Sequence, residues 1–89
     1  MLIALIAKDK EGHLEVRKRN REAHLAYLSA TGVVVQAGPF LDEQGQMCGS
    51  LLILDVVDRS AAQAWVADDP YTHAGLFESV ELIRWHKVI

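Results

Sequence analysis

The chain is 89 residues long, 51% of them hydrophobic and only 24% charged, with nine basic against twelve acidic side chains for a net charge of −3. That length holds one domain, residues 1–89, and that apolar content excludes a disordered chain. The mildly acidic sum speaks against a protein whose main work is coating nucleic acid. Leu2 to Ala7 is an unbroken apolar run with branched residues. It is too short for a membrane span and fits a strand covered on both faces. Lys8 to Gly12 reads as a polar turn, and its immediate charges argue against a leader peptide. Residues 13–31 read as a helix. Leu14, Arg21, Leu25 and Leu28 recur on one side, while Ala23, Ala26 and Ala30 offer small surfaces for packing on a sheet. Gly32 supplies the left-handed stop. The first half carries a basic run, Arg17 to Arg21, which reads as a solvated face rather than a nucleic-acid contact.

Val33 to Ala37 is β-branched and reads as a second strand, ended by Gly38-Pro39. A turn at Asp42–Gly45 separates it from a third strand, Ser50 to Val57, in a hairpin. Ser60 with Gln63 three residues on reads as a capping box opening a second helix. Ala61, Ala64 and Trp65 form the apolar side of that helix, and Pro70 ends it. Tyr71 to Gly75 is a short turn, and Val80 to Ile89 reads as the last strand. Cys48 is the sole cysteine, which excludes an intrachain disulfide and suits a reducing, cytoplasmic setting.

The order strand, helix, strand, strand, helix, strand defines a ferredoxin-like α+β sandwich. Two right-handed crossovers interleave into one antiparallel sheet with both helices on the same face. The other face should then alternate toward polar residues, yet Leu51–Leu54 and Val80, Leu82, Ile83 and Trp85 barely alternate. No third helix is available to cover it. The burial argument therefore expects a homodimer packed sheet to sheet.

In this topology one rim gathers Lys8, Gly38, Pro39, Ser50, Asp69, Pro70 and Tyr71, with His24 about halfway down the first helix. Three segments here resemble the YCII-related family: Arg21 to Leu28, Ala37-Gly38-Pro39 with Gly49-Ser50-Leu51, and Asp69-Pro70-Tyr71 through Ala74-Gly75-Leu76. Their order and spacing match across nearly the whole chain. The resemblance implies a dimeric α+β barrel of ferredoxin-like units. It also implies a histidine–aspartate pair in a cleft, here His24 and Asp69, with Ser50 and the Gly38-Pro39 corner as neighbours. Some members resemble dehydrochlorinases of chlorinated hydroxyaromatics.

A carboxylate accepting from one imidazole nitrogen fixes the tautomer and raises basicity, leaving the other nitrogen as a general base. The expected function is that of a cofactor-independent enzyme that removes a proton from a small, possibly aromatic, substrate in an elimination or isomerisation. Arg21, one turn before His24, and Ser50 would steady an oxyanion. Tyr71 and Tyr27 would line a pocket for a ring, and His73 would touch the substrate. With His24 and Asp69, His73 would also complete a three-ligand set. That spacing is common by chance, so neither metal nor cofactor is expected, and the partner is a small molecule rather than nucleic acid or membrane. The alternative is a non-catalytic binding or sensing dimer. Purely structural readings also stand: His24 as a helix-edge residue with one hydrogen bond, Asp69 as an N-cap before proline, Ser50 as the start of a strand. Trp65 and Trp85 would fill the core or the interface.

Overall fold

A computed structural model describes all residues, 1–89. The elements are β1 (Leu2–Asp9), α1 (Leu14–Thr31), β2 (Val34–Leu41), β3 (Met47–Asp55), α2 (Arg59–Asp68), the one-turn α3 (Pro70–His73) and β4 (Phe77–Trp85). The strands form one sheet in the order β2-β3-β1-β4, and every neighbouring pair is antiparallel. This is the ferredoxin-like arrangement. No helix is long and apolar enough to cross a membrane.

The register explains where the core lies. Ile3 faces Leu54, Leu5 faces Leu52, and Ala7 faces Ser50 across the β1–β3 ladder. Side chains two apart share a sheet face, so Ile3, Leu5 and Ala7 line up with Leu54 and Leu52. Ala62 and Trp65 of α2 close over them, with Tyr27 and Leu28 of α1 alongside. At one end this apolar stripe turns polar, because the next residues along the same face are Asp9 and Ser50.

Several boundaries differ from the sequence reading, each for a physical reason. β1 continues through Lys8 to Asp9 because the ladder to β4 persists there. β2 does not stop at Gly38-Pro39. Pro39 pairs with Ser50 inside the strand, and an edge strand has a row of N–H positions that need no partner. α2 is opened by Asp58, whose carboxylate accepts from the Ala61 N–H at 2.8 Å, and not by a Ser60–Gln63 box. Its buried side is Ala62 and Trp65; Ala64 is exposed. Ala23, Ala26 and Ala30 are also exposed, so the small residues of α1 do not pack on the sheet. β4 ends at Trp85, which faces Leu2, the first residue of β1, and no partner strand exists beyond it. Gly32 stops α1 with φ 67°, as expected.

The second sheet face carries Leu2, Ala4, Ile6, Phe40, Leu51, Ile53, Ile83 and Trp85. Leu51, Phe40 and Trp85 are each 39% exposed and Ile83 47%. Trp65 fills the core while Trp85 lies on this uncovered face.

Candidate active site

Five polar or charged side chains are buried in the whole chain: Asp9, Arg17, His24, Ser50 and Asp69. Burying such groups is costly unless each is paired, and here they form two linked sets around one cavity. His24 sits near the middle of α1. Its Nδ1 lies 2.8 Å from Asp69 Oδ1. Asp69 is the N-cap of α3, and the same oxygen accepts from the Tyr71 N–H at 2.9 Å. Pro70 at the first helical position suits that cap. The cap and the histidine contact are therefore one arrangement rather than rival roles.

The second set was not expected. Arg17 donates from Nε to Asp9 Oδ2 at 2.6 Å and from Nη2 to Asp9 Oδ1 at 2.9 Å, a bidentate pair. Nη2 also donates to Ser50 Oγ at 2.8 Å. Burial works against the Arg17 charge, but the hydrogen bonds and the charge of Asp9 outweigh it and hold the guanidinium more firmly protonated than usual. Arg17 lies seven residues before His24, two helical turns back on the same face. The basic run is thus not uniformly solvated.

Tyr71 joins the two sets. Its ring stacks on the His24 imidazole with centroids 3.8 Å apart and planes 13° from parallel. The Arg17 guanidinium carbon lies 4.7 Å over the same ring. Both groups cannot occupy one face of the ring at those distances, so Tyr71 is held between them. Phe77 meets its edge at 5.9 Å. Burial pushes the Tyr71 hydroxyl above the ordinary tyrosine range against the opposing pull of Arg17 and Arg21, with Asp69 and Asp9 adding to the rise.

With the Asp69 carboxylate on Nδ1, the imidazole proton belongs on that nitrogen. Nε2 then carries the lone pair. It has no partner in the protein and is not sealed from solvent. The cavity beside it holds about 100 Å³ and is lined by Arg17, Arg21, His24, Gly38, Ser50 and Tyr71 among others. That is small against drug-sized pockets of roughly 300–1,000 Å³ and leaves room for one small ring.

Among the residues singled out from sequence, Arg21, His24, Gly38, Pro39, Ser50 and Tyr71 all line this cavity. Asp69 stands behind His24, off the cavity wall, and is linked to the cavity through the imidazole. His73 is exposed and outside the cavity lining. No three His, Cys, Asp or Glu side chains converge as a metal ligand set. Tyr27 does not line the cavity; its hydroxyl donates to the Trp65 carbonyl at 2.7 Å. Asp9 and Arg17 escaped the sequence reading. The signal for Arg17 was a helical stripe at 17, 21, 24 and 28, whose first two members are arginines.

A ferredoxin-like sheet whose helices bring together a buried histidine–carboxylate pair, open to a ring-sized cavity, defines a class of small α+β proteins with an enzyme-like site. The family model of the YCII-related domain matches residues 1–86, and the chain belongs to that family. It is 37% identical over 97 aligned positions to protein YciI of Escherichia coli O6:H1, with 99% of each chain covered. It is 36% identical to 5-chloro-2-hydroxyhydroquinone dehydrochlorinase (TftG) of Burkholderia phenoliruptrix AC1100, solved in complex with 2,5-dihydroxybenzoquinone. That match has a TM-score of 0.88 and covers 97% of this chain and 94% of the other. A NIPSNAP family protein from Agrobacterium tumefaciens, at 19% identity and a TM-score of 0.58 over 98% of this chain and 92% of that one, shares the fold alone.

Proposed function

We propose that the protein is a cofactor-independent enzyme that moves protons on a small hydroxylated ring, with elimination of chloride as the leading reaction. The observation that carries this reading is the buried His24–Asp69 pair with Nε2 free beside the cavity. The likeness to a dehydrochlorinase supports the substrate class. His24 is the base, Asp69 its positioning residue, and Arg21 and Ser50 bind ring oxygens. In the elimination a hydroxyl proton of the keto tautomer passes to Nε2, and the O–H pair closes to a carbonyl. The adjacent double bond shifts, and the bond from a saturated carbon to chlorine breaks with chloride leaving. Water returns the imidazolium to neutrality. A developing oxyanion beside Arg21 and the Ser50 hydroxyl is stabilised in that step.

The test offers purified protein a chlorinated trihydroxybenzene and follows free chloride and quinone absorbance. Wild type turns over; His24→Ala loses roughly 100-fold or more with an unchanged circular dichroism spectrum. Quinone binding without chloride release would transfer the site to the non-catalytic binding or sensing reading.

The same proposal includes a homodimer, with the apolar sheet face of Phe40, Leu51, Ile83 and Trp85 as its contact. Sedimentation then reports twice the 9.9 kDa chain mass, and Trp85→Asp shifts it toward one. A cytoplasmic location, where Cys48 stays a free thiol, completes the reading.

A further inference from the structure

We infer that Arg17 is an anion-binding group of this cavity and that the ligand presents an ionised oxygen to it. The site would thus take an acidic ring as its anion, held at one point by His24 and at another by Arg17. This rests on the reading that the cavity receives a hydroxylated ring.

Three observations carry the inference. First, Arg17 uses only part of its fork. Nε and Nη2 are occupied by Asp9 and Ser50, while Nη1 makes no hydrogen bond of ordinary length in the protein, the Tyr71 hydroxyl lying only near enough to favour the charge. Arg17 lines the cavity, so the unused N–H edge is available there. Second, the Ser50 oxygen already accepts from Nη2 at 2.8 Å, which leaves its own proton free to donate. An N–H and an O–H donor therefore start from neighbouring atoms. Third, the Asp9–Arg17 pair is buried, with side chains 6% and 3% exposed. Apolar residues often fill such a place at no loss of stability. Its presence at a cavity wall is explained when a fixed cation is needed there. Asp9 cancels the charge of Arg17 but not its local N–H edge. Arg21, exposed at the same cavity and without a salt-bridge partner, supplies net attraction for an anion.

The experiment compares 2,5-dihydroxybenzoquinone, which ionises, with 2,5-dimethoxybenzoquinone, which has the same skeleton and cannot. Wild type binds the dihydroxy ring tighter by about 10- to 100-fold, the ratio expected for one charge-assisted contact set. The paired change Asp9→Asn with Arg17→Gln keeps a neutral hydrogen-bonding pair and drops the ratio to within about threefold. A second measurement needs no variant. The visible band of the dihydroxy ring reports its ionisation, and the bound ligand stays anionic at pH values where the free one is half protonated. A paired variant that keeps the full ratio, or a bound ring that protonates as readily as the free one, overturns the inference. Equal binding of both rings to wild type also sinks it and leaves the ring site standing. Failure of either ring to bind sinks the ring reading itself.

Discussion

The cavity has two ends, and each is a carboxylate buried against a base from α1. Asp9 meets Arg17 and Asp69 meets His24, with all four side chains 3–6% exposed. The geometry is similar and the chemistry is opposite. Both oxygens of Asp9 are spent on a guanidinium that never gives up its proton. Asp69 holds a ring whose second nitrogen is free to take a proton and release it. One end is a fixed charge, and the other, on the proposed reading, handles the proton. Equal burial therefore does not mean equal function or equal cost.

Removing each carboxylate should expose that difference. Asp9→Ala leaves a buried guanidinium unpaired, which costs about 3–5 kcal/mol. Asp69→Ala removes an N-cap and the acceptor of a ring N–H but strands no fixed charge, so it costs less, about 2–3 kcal/mol. Urea unfolding monitored by tryptophan fluorescence reads both. Equal losses would show that the Asp9–Arg17 pair is no more demanding to bury than the His24–Asp69 pair.

The backbone under the Ser50 end is the next place to press. A Cβ at Gly49 would run into the Ala7 carbonyl oxygen across the β1–β3 ladder and lie 3.1 Å from a Phe40 ring carbon. Backbone cannot step aside as a side chain can. Gly49→Ala should therefore cost about 1–3 kcal/mol and lower the thermal midpoint by roughly 4–8 °C per kcal/mol. Gly38 lines the same cavity, yet a Cβ there meets nothing within 4 Å. Gly38→Ala should stay within about 0.5 kcal/mol of wild type. A Gly38 effect as large as that of Gly49 would contradict the edge-strand geometry.

The two ends were not equally legible in the sequence. His24 and Asp69 stood out through the family resemblance, and Asp69-Pro70 also carried the local signature of a cap. The strand and helix order fixed the topology because each element had its own period or stop. Arg17 was hidden because a charge run ordinarily marks a solvated face. Its burial depends on Asp9, and Asp9 looked like turn because the apolar run ends at Ala7. The β1 ladder continues two residues further, where the alternation puts Lys8 outward and Asp9 inward. Pro39 misled in the reverse sense, since a proline bars a central strand but not β2 at the edge. Long-range pairing decides all three cases, and periodicity along one segment does not contain it.

Tyr71, between the two ends, gives the smallest and finest test. The chain has two tyrosines, and both are displaced in the same direction. Tyr71 is raised by burial, with Arg17 and Arg21 opposing and Asp69 and Asp9 adding. Tyr27 is raised by burial and by Asp68 and Asp69. In the unfolded chain both phenols ionise near pH ~10. The folded chain still holds its protons there, so unfolding releases protons in that interval. Stability from this source is therefore complete below the unfolded value and declines as pH rises through the folded one. Tyrosinate absorbance in the near ultraviolet should appear at higher pH in the native protein than in denaturant, without an early component. The Asp9→Asn and Arg17→Gln pair removes one opposing and one reinforcing charge. Arg17 ranks above Asp9 among those influences, so the Tyr71 transition, isolated in a Tyr27→Phe background, should move further up. A downward movement would mean that Asp9 acts on Tyr71 more strongly than Arg17 does.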